Sequence, residues 1–171
     1  IMDENKIEKQ TFTYPLLFKL LFKYGNAVAS LFLVIYSVPL VIHLDQNNLL
    51  IIPVVISLLL LYFINRHYLN IYKILPFKVD ADNEKLVCTN FFLSNKEVII
   101  NYDDIESLSG GIFENKISGV MKVCDGRNAI CIGFYQRLTN ANKLATIILS
   151  KVRKPLYDDV LDKLTAKQKK N

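Results

Sequence analysis

Between Tyr24 and Asn65 the chain carries a single formal charge, Asp45, in 42 residues. Asp45 divides this stretch into uncharged runs of 21 residues (24–44) and 20 residues (46–65). A bilayer core about 30 Å thick takes roughly 20 mostly apolar residues as a helix. Each run is long enough to cross, and a soluble fold would rarely keep two of them back to back. The sequence predicts a membrane protein built on a two-helix hairpin with a small domain behind it. Of the 171 residues, roughly 65 belong to the N-terminal segment and hairpin, which leaves room for one domain of ordinary size.

The first span is read as residues 27–44 and the second as 49–65, joined by a polar loop at 45–48. Their Leu, Ile, Val and Phe each favour insertion by a few tenths of a kcal/mol. Pro39 and Pro53 fit either kinks or positions at the hairpin's outer ends. Lys19 and Lys23 precede the spans and Arg66 and Lys73 follow them, whereas the loop has no Lys or Arg. That bias places both termini in the cytoplasm, and Tyr62, Phe63, Tyr68 and Tyr72 supply an interfacial aromatic group at the same boundary. Residues 1–26 form a cytoplasmic N-terminal segment. Within it Leu16, Leu17, Leu20 and Leu21 lie beside Lys19 and Lys23, a pattern that fits equally an interfacial helix and an early start to the first span. Asp3, Glu4 and Glu8, with no small-x-small site after the first apolar run, speak against a cleavable signal peptide.

After Pro76 the texture changes to short alternating segments. Strands are expected at 77–79, 85–89, 97–101, 105–108, 118–123 and 129–134, with a turn at 80–84 and a break at Gly110-Gly111. Asp125-Gly126 between two apolar alternations is a strong hairpin signal. From Asn140 to Lys154, apolar residues at Ala141, Leu144, Ala145, Ile148 and Val152 give one helical face, which Pro155 ends. Residues 155–171 form a basic amphipathic tail.

Charge follows the same division. Residues 74–150 hold eight basic and nine acidic side chains, and residues 151–171 hold seven and three. The domain is therefore no basic nucleic-acid binder. Cys88, Cys124 and Cys131 form no CxxC pair, and both histidines, His43 and His67, flank the second apolar run. No disulfide or zinc site is expected; the thiols read as small core hydrophobes in a reducing compartment.

Six or seven strands followed by one amphipathic helix is the order of a pleckstrin-homology-like barrel. The strand ILPFKVDADNEKLVCTN (74–90), the segment EVIINYDDIESLSGG (97–111) and the closing helix resemble the bacterial PH-like family, small membrane proteins with two spans followed by such a domain. In that family an aromatic and acidic pair leading into Ile marks a strand start, and Tyr102-Asp103-Asp104-Ile105 matches it. The resemblance covers residues 27–154. It implies an α+β architecture: a transmembrane hairpin, then a PH-like antiparallel barrel or sheet at 74–154 capped by its C-terminal amphipathic helix. It implies no catalytic signature.

The residues agree on that last point. Asp103 and Asp104 are adjacent, so on a strand they point to opposite faces, and a solvated turn is the favoured reading. Gly110-Gly111 lacks the Lys and Ser/Thr of a phosphate loop and reads as a bend or bulge. Ser107 and Ser109 have no histidine in the domain, and the three thiols fail as nucleophiles for the same reason. His43, beside Asp45, reads as an interfacial polar group, and no charge lies inside either span to suggest an ion path. Catalysis, cofactor and metal are not expected.

Seven basic residues at the end, Lys151, Arg153, Lys154, Lys163, Lys167, Lys169 and Lys170, are the candidate membrane-surface contacts. Each such residue near an anionic leaflet contributes about 1 kcal/mol. A frayed charged end explains them equally well. Two functions follow: a non-enzymatic, membrane-anchored module that meets a protein partner or a second copy of itself, and an anionic-lipid headgroup binder. The second needs a basic pocket, and its candidates Lys85, Lys96, Lys116, Lys122 and Arg127 are dispersed along the sequence.

Overall fold

The computed structural model describes residues 9–116 and 119–168, in two units: the helices of residues 16–73, and the remainder.

The helical unit is a hairpin of α1 (Leu16–Ile42) and α2 (Ile51–Ile74). α1 is continuous from Leu16, so the leucines at 16, 17, 20 and 21 are an early start to the first helix rather than a separate segment. Both prolines sit near the hairpin's outer ends, Pro53 in the first turn of α2 and Pro39 in the last of α1. At the turn, the Asn47 side-chain carbonyl accepts from the Leu49 N–H at 3.0 Å. Lower down, Asn65 Nδ2 donates to Ser30 Oγ at 3.0 Å and to the Leu61 carbonyl at 2.8 Å, while Asn26 Nδ2 donates to Asn65 Oδ1 at 2.9 Å. This polar clamp joins the helices where apolar packing alone gives little selectivity. Leu31, Phe32, Ile35, Ile56 and Leu59 face outward, and α1 buries no side chain. Two helices this long, and apolar on their outer surfaces, indicate membrane association.

The second unit contains seven strands in two antiparallel sheets. One has the order β1 (Gln10–Thr13), β2 (Pro76–Ala81), β3 (Lys85–Phe91), β4 (Val98–Asn101); the other has β5 (Ile105–Ser109), β6 (Val120–Asp125), β7 (Ile130–Tyr135). The described strands do not close into a barrel. Alternation sends Leu86 and Cys88 of β3, Met121 and Val123 of β6, and Ile132 and Phe134 of β7 into the core. α3 (Ala141–Lys151) adds Leu144, Ala145 and Ile148, the face expected from its spacing. α4 (Lys154–Gln168) follows and buries Val160. Gly110 and Gly111 both take positive φ at a tight turn, where a Cβ on Gly110 would strike the Val120 carbonyl.

Two features differ from the sequence reading. Residues 10–13, placed in a cytoplasmic segment outside the domain, are a strand of its first sheet: Thr13 pairs with Lys78 and Gln10 with Ala81. Phe12 and Tyr14 are buried there, and the Tyr14 hydroxyl accepts from the Tyr135 N–H at 2.8 Å. The second is that Cys124 and Cys131 are disulfide-bonded across β6 and β7, with Cα atoms 4.1 Å apart. The expectation of three unpaired core thiols holds for Cys88 alone, which is free and buried.

The chain enters and leaves the helices at one end of the first sheet. Thr13 ends β1 two residues before α1, and Pro76 opens β2 two residues after Ile74. We call this the helix-linked end. The opposite, far end carries the turn at 82–84, the short 3-10 turn Tyr102–Asp104, and the hairpin turn at 126–129. Phe12→Ala is expected to cost about 3 kcal/mol, comparable with Ile148→Ala. Thermal unfolding of the detergent-solubilised chain, followed by the β-sheet circular dichroism signal, checks it. No change for Phe12→Ala would remove β1 from the core.

Candidate functional site

At the far end an open polar cleft of about 490 Å³ is lined by Asn83, Glu84, Asn101–Asp104, Arg127 and Lys151. Four separate segments build it. The 82–84 turn is held by Asp82, whose Oδ1 accepts from the Glu84 and Lys85 N–H groups at 2.9 and 2.8 Å. This is an Asx turn, the local chemistry for which Asp favours such positions. Tyr102 is buried beneath the cleft and its hydroxyl donates to the Asp82 carbonyl at 3.1 Å. Burial, followed by the nearby Asp82 charge, raises the Tyr102 pKa, so the phenol stays a neutral donor.

Arg127 is brought in by the second hairpin turn. Asp125 is buried, and its Oδ1 accepts from the N–H groups of Arg127 and Asn128 at 2.8 and 3.1 Å; Oδ2 accepts from Asn128 Nδ2 at 2.8 Å. Burial works against ionisation of Asp125, but these donors and the Arg127 charge outweigh it and hold the carboxyl below its ordinary range. Arg127 then reaches Asp104 at 3.2 Å, and Asp104 also accepts from Asn101 Nδ2 at 2.9 Å. Asp104 is thereby used within the fold. Among the described residues, Glu84, Asp103 and Lys151 have no ion pair, and Asn83 Oδ1 is buried without a hydrogen-bond partner. The cleft thus offers acceptors in excess: the carboxylates of Glu84 and Asp103, against the ammonium of Lys151.

The basic candidates with described side chains, Lys151, Arg153, Lys154 and Lys163, each have a different setting. Lys151 lines the cleft, the Arg153 guanidinium donates to the Ile105 carbonyl at 3.4 Å, and Lys154 is exposed at the start of α4. Lys163 pairs with Asp159 at 2.6 Å, and Lys167 lies in the last turn of α4. Lys169 and Lys170 lie outside the described residues. Nor do the five headgroup candidates converge. Arg127 is paired at the far end, Lys116 pairs with Glu114, Lys96 lies over the Phe91 ring, and Lys85 and Lys122 lie on β3 and β6, in different sheets. The Cys88 thiol is pushed up to about 12 by burial first and by the Asp80 charge second, which suits packing and not nucleophilic chemistry. No group of three or more metal-binding side chains occurs among the described residues. The acidic cluster enters the fold as the expected turn before β5.

Set against known protein families, curated proteins and solved structures, the chain matches none.

Asp125→Ala removes three hydrogen bonds to a buried carboxylate and is expected to cost about 2 kcal/mol at neutral pH. The native pKa is depressed, so this stabilisation is present above the ordinary carboxylate value of 3.8 and is lost as pH falls below it towards the native pKa. Urea unfolding of the native chain and the variant should therefore converge in strongly acidic buffer. A penalty independent of pH would contradict the assignment.

Proposed function

We propose that this chain is a non-enzymatic, membrane-anchored PH-like module that presents its far-end cleft to a protein partner, with both termini in the cytoplasm. The observation that carries the reading is the cleft's pair of carboxylates without an ion pair, Glu84 and Asp103. A partner segment bearing Lys or Arg side chains supplies the missing donors. Outside the helical hairpin the chain runs through seven described strands and then α3, an order that supports a PH-like fold and not a ligand. The strands at the sheet edges, β1, β4, β5 and β7, offer a second copy of the chain an alternative route by strand addition.

A second reading, attachment to anionic headgroups, is favoured by the course of α4. The helix starts beside Ile105 at the far end and packs along β5 to the 3-10 turn Gly111–Glu114. Lys163 therefore lies nearer the helix-linked end than Lys154 does.

A photo-crosslinking residue at Asp103, activated in native membranes, should give a discrete protein adduct that Glu84→Lys abolishes. Absence of a protein adduct would count against the cleft. The orientation has its own test, because a cytoplasmic domain keeps Cys124 and Cys131 reduced whereas an oxidising compartment preserves their bond. A membrane-impermeant thiol reagent should modify them only after permeabilisation, and without prior reduction. Modification that requires a reductant in intact cells would place the domain outside.

A further inference from the structure

We propose that the β3–β4 turn is a third membrane contact, with Phe92 and Leu93 seated in the headgroup layer of the bilayer that α1 and α2 span. This rests on the reading of those helices as spans. The turn is closed by the Ser94 N–H donating to the Phe91 carbonyl at 3.4 Å, which makes Phe92 and Leu93 its two central residues. Leu93 has φ 51° and is 91% exposed. The second central position of such a turn calls for Gly or Asn, which tolerate positive φ. A single exposed Leu is unremarkable. A Leu at the tip of a turn whose geometry favours Gly is unfavourable in backbone and in hydration together, and only an apolar surrounding removes the second cost.

The occupant follows from the register. Phe91 pairs with Pro76, two residues after the last residue of α2, so the turn lies at the helix-linked end of the sheet. At the same end Thr13 is followed within three residues by Leu16 and Leu17, the first residues of α1, which are 76% and 73% exposed. α1 has 27 residues and is about 40 Å long, enough for the hydrocarbon core and one headgroup layer. Its apolar surface therefore continues to the depth at which interfacial side chains insert. Lys96, whose ammonium lies 4.2 Å from the centre of the Phe91 ring, adds a cation beside the tip for an anionic leaflet. The far-end turns at 82–84 and 126–129 contain Asp, Asn, Glu, Gly, Arg and Ala, with no large apolar side chain. The apolar tip is thus confined to the end of the sheet that continues into the helices.

The chain contains no tryptophan, so Leu93→Trp introduces a unique fluorophore at an exposed position. The full chain is reconstituted in vesicles of phosphatidylcholine and phosphatidylglycerol, with and without acyl chains brominated near the carbonyl. Ile35→Trp, at the centre of the 27–44 stretch, reports the membrane reading through a second lipid brominated near the acyl-chain ends, and Asn128→Trp, in the far-end turn, reports solvent. The expected result is a blue-shifted Leu93→Trp emission quenched by the brominated lipid, with Asn128→Trp unshifted and unquenched. Quenching of Ile35→Trp without quenching of Leu93→Trp overturns the third contact alone. A blue-shifted but unquenched Leu93→Trp also overturns it, in favour of a protein surface. Quenching at neither position overturns the membrane reading and this contact with it.

Discussion

The pairing of β1 with β2 is the interaction on which the rest of the architecture depends. These strands lie on opposite sides of the helical hairpin in sequence, and Thr11 meets Asp80 across 69 residues, its hydroxyl donating to the carboxylate at 2.6 Å. Closing so long a loop costs conformational entropy, and a four-residue strand offers few bonds in return. Specific side-chain interactions make up the difference. Asp80 is buried, and Lys9 and Lys78 approach its Oδ2 at 3.3 and 3.0 Å. Burial alone would raise its pKa, but Thr11, Lys78 and Lys9 together lower it, so the carboxylate stays charged where β1 needs it. Phe12 enters the core, and the hydroxyl of buried Tyr14 accepts from β7.

That pairing also gives the domain its polarity. With both connections to the helices at one end of the sheet, the other end carries only turns between strands. The free end is where turns built from Asp, Asn and Gly meet, and where the cleft forms. The two ends differ in chemistry as they differ in connectivity. Carboxylates, amides and one Arg–Asp pair occupy the far end, while Leu75, Phe91, Phe92 and Leu93 occupy the other. α4 joins the two, because its start touches Ile105 and its later residues approach Glu114.

The parts legible in the sequence are those fixed by local pattern. The two long apolar helices follow from uncharged length, α3 from its apolar period, and the Asp82 and Asp125 turns from residues that hydrogen-bond their own backbone. β1 was not legible, because in Gln10–Thr13 only Phe12 is buried and the strand's reason lies at Asp80. The disulfide was hidden by two residues of register. Strands ending at Val123 and starting at Ala129 put Cys124 in the turn, out of reach of Cys131. In the fold β6 continues to Asp125, which pairs with Ile130, and the cysteines become direct cross-strand neighbours. The cleft was legible only in pieces. The acidic turn was visible, but Asn83, Arg127 and Lys151 join it through tertiary packing that no spacing encodes.

The strand pairing bears on topology in a way that charge counting does not. β1 and β2 exchange backbone hydrogen bonds, so the residues before α1 and those after α2 must share one aqueous compartment. If α1 crosses the bilayer, α2 has to cross back, and a single-crossing arrangement would tear Thr13 from Lys78. The lysines and arginines at the helix ends lead to the same even number of crossings by an independent route, since the outer loop has none. The two arguments differ in what they leave open. Strand pairing is indifferent to which side holds the domain; a charge bias of this kind is the signature of a cytoplasmic domain, and a bond such as Cys124–Cys131 that of an oxidising compartment. In a cytoplasmic domain the same two thiols would remain cross-strand neighbours, held by the hairpin's own ladder whether or not they are joined.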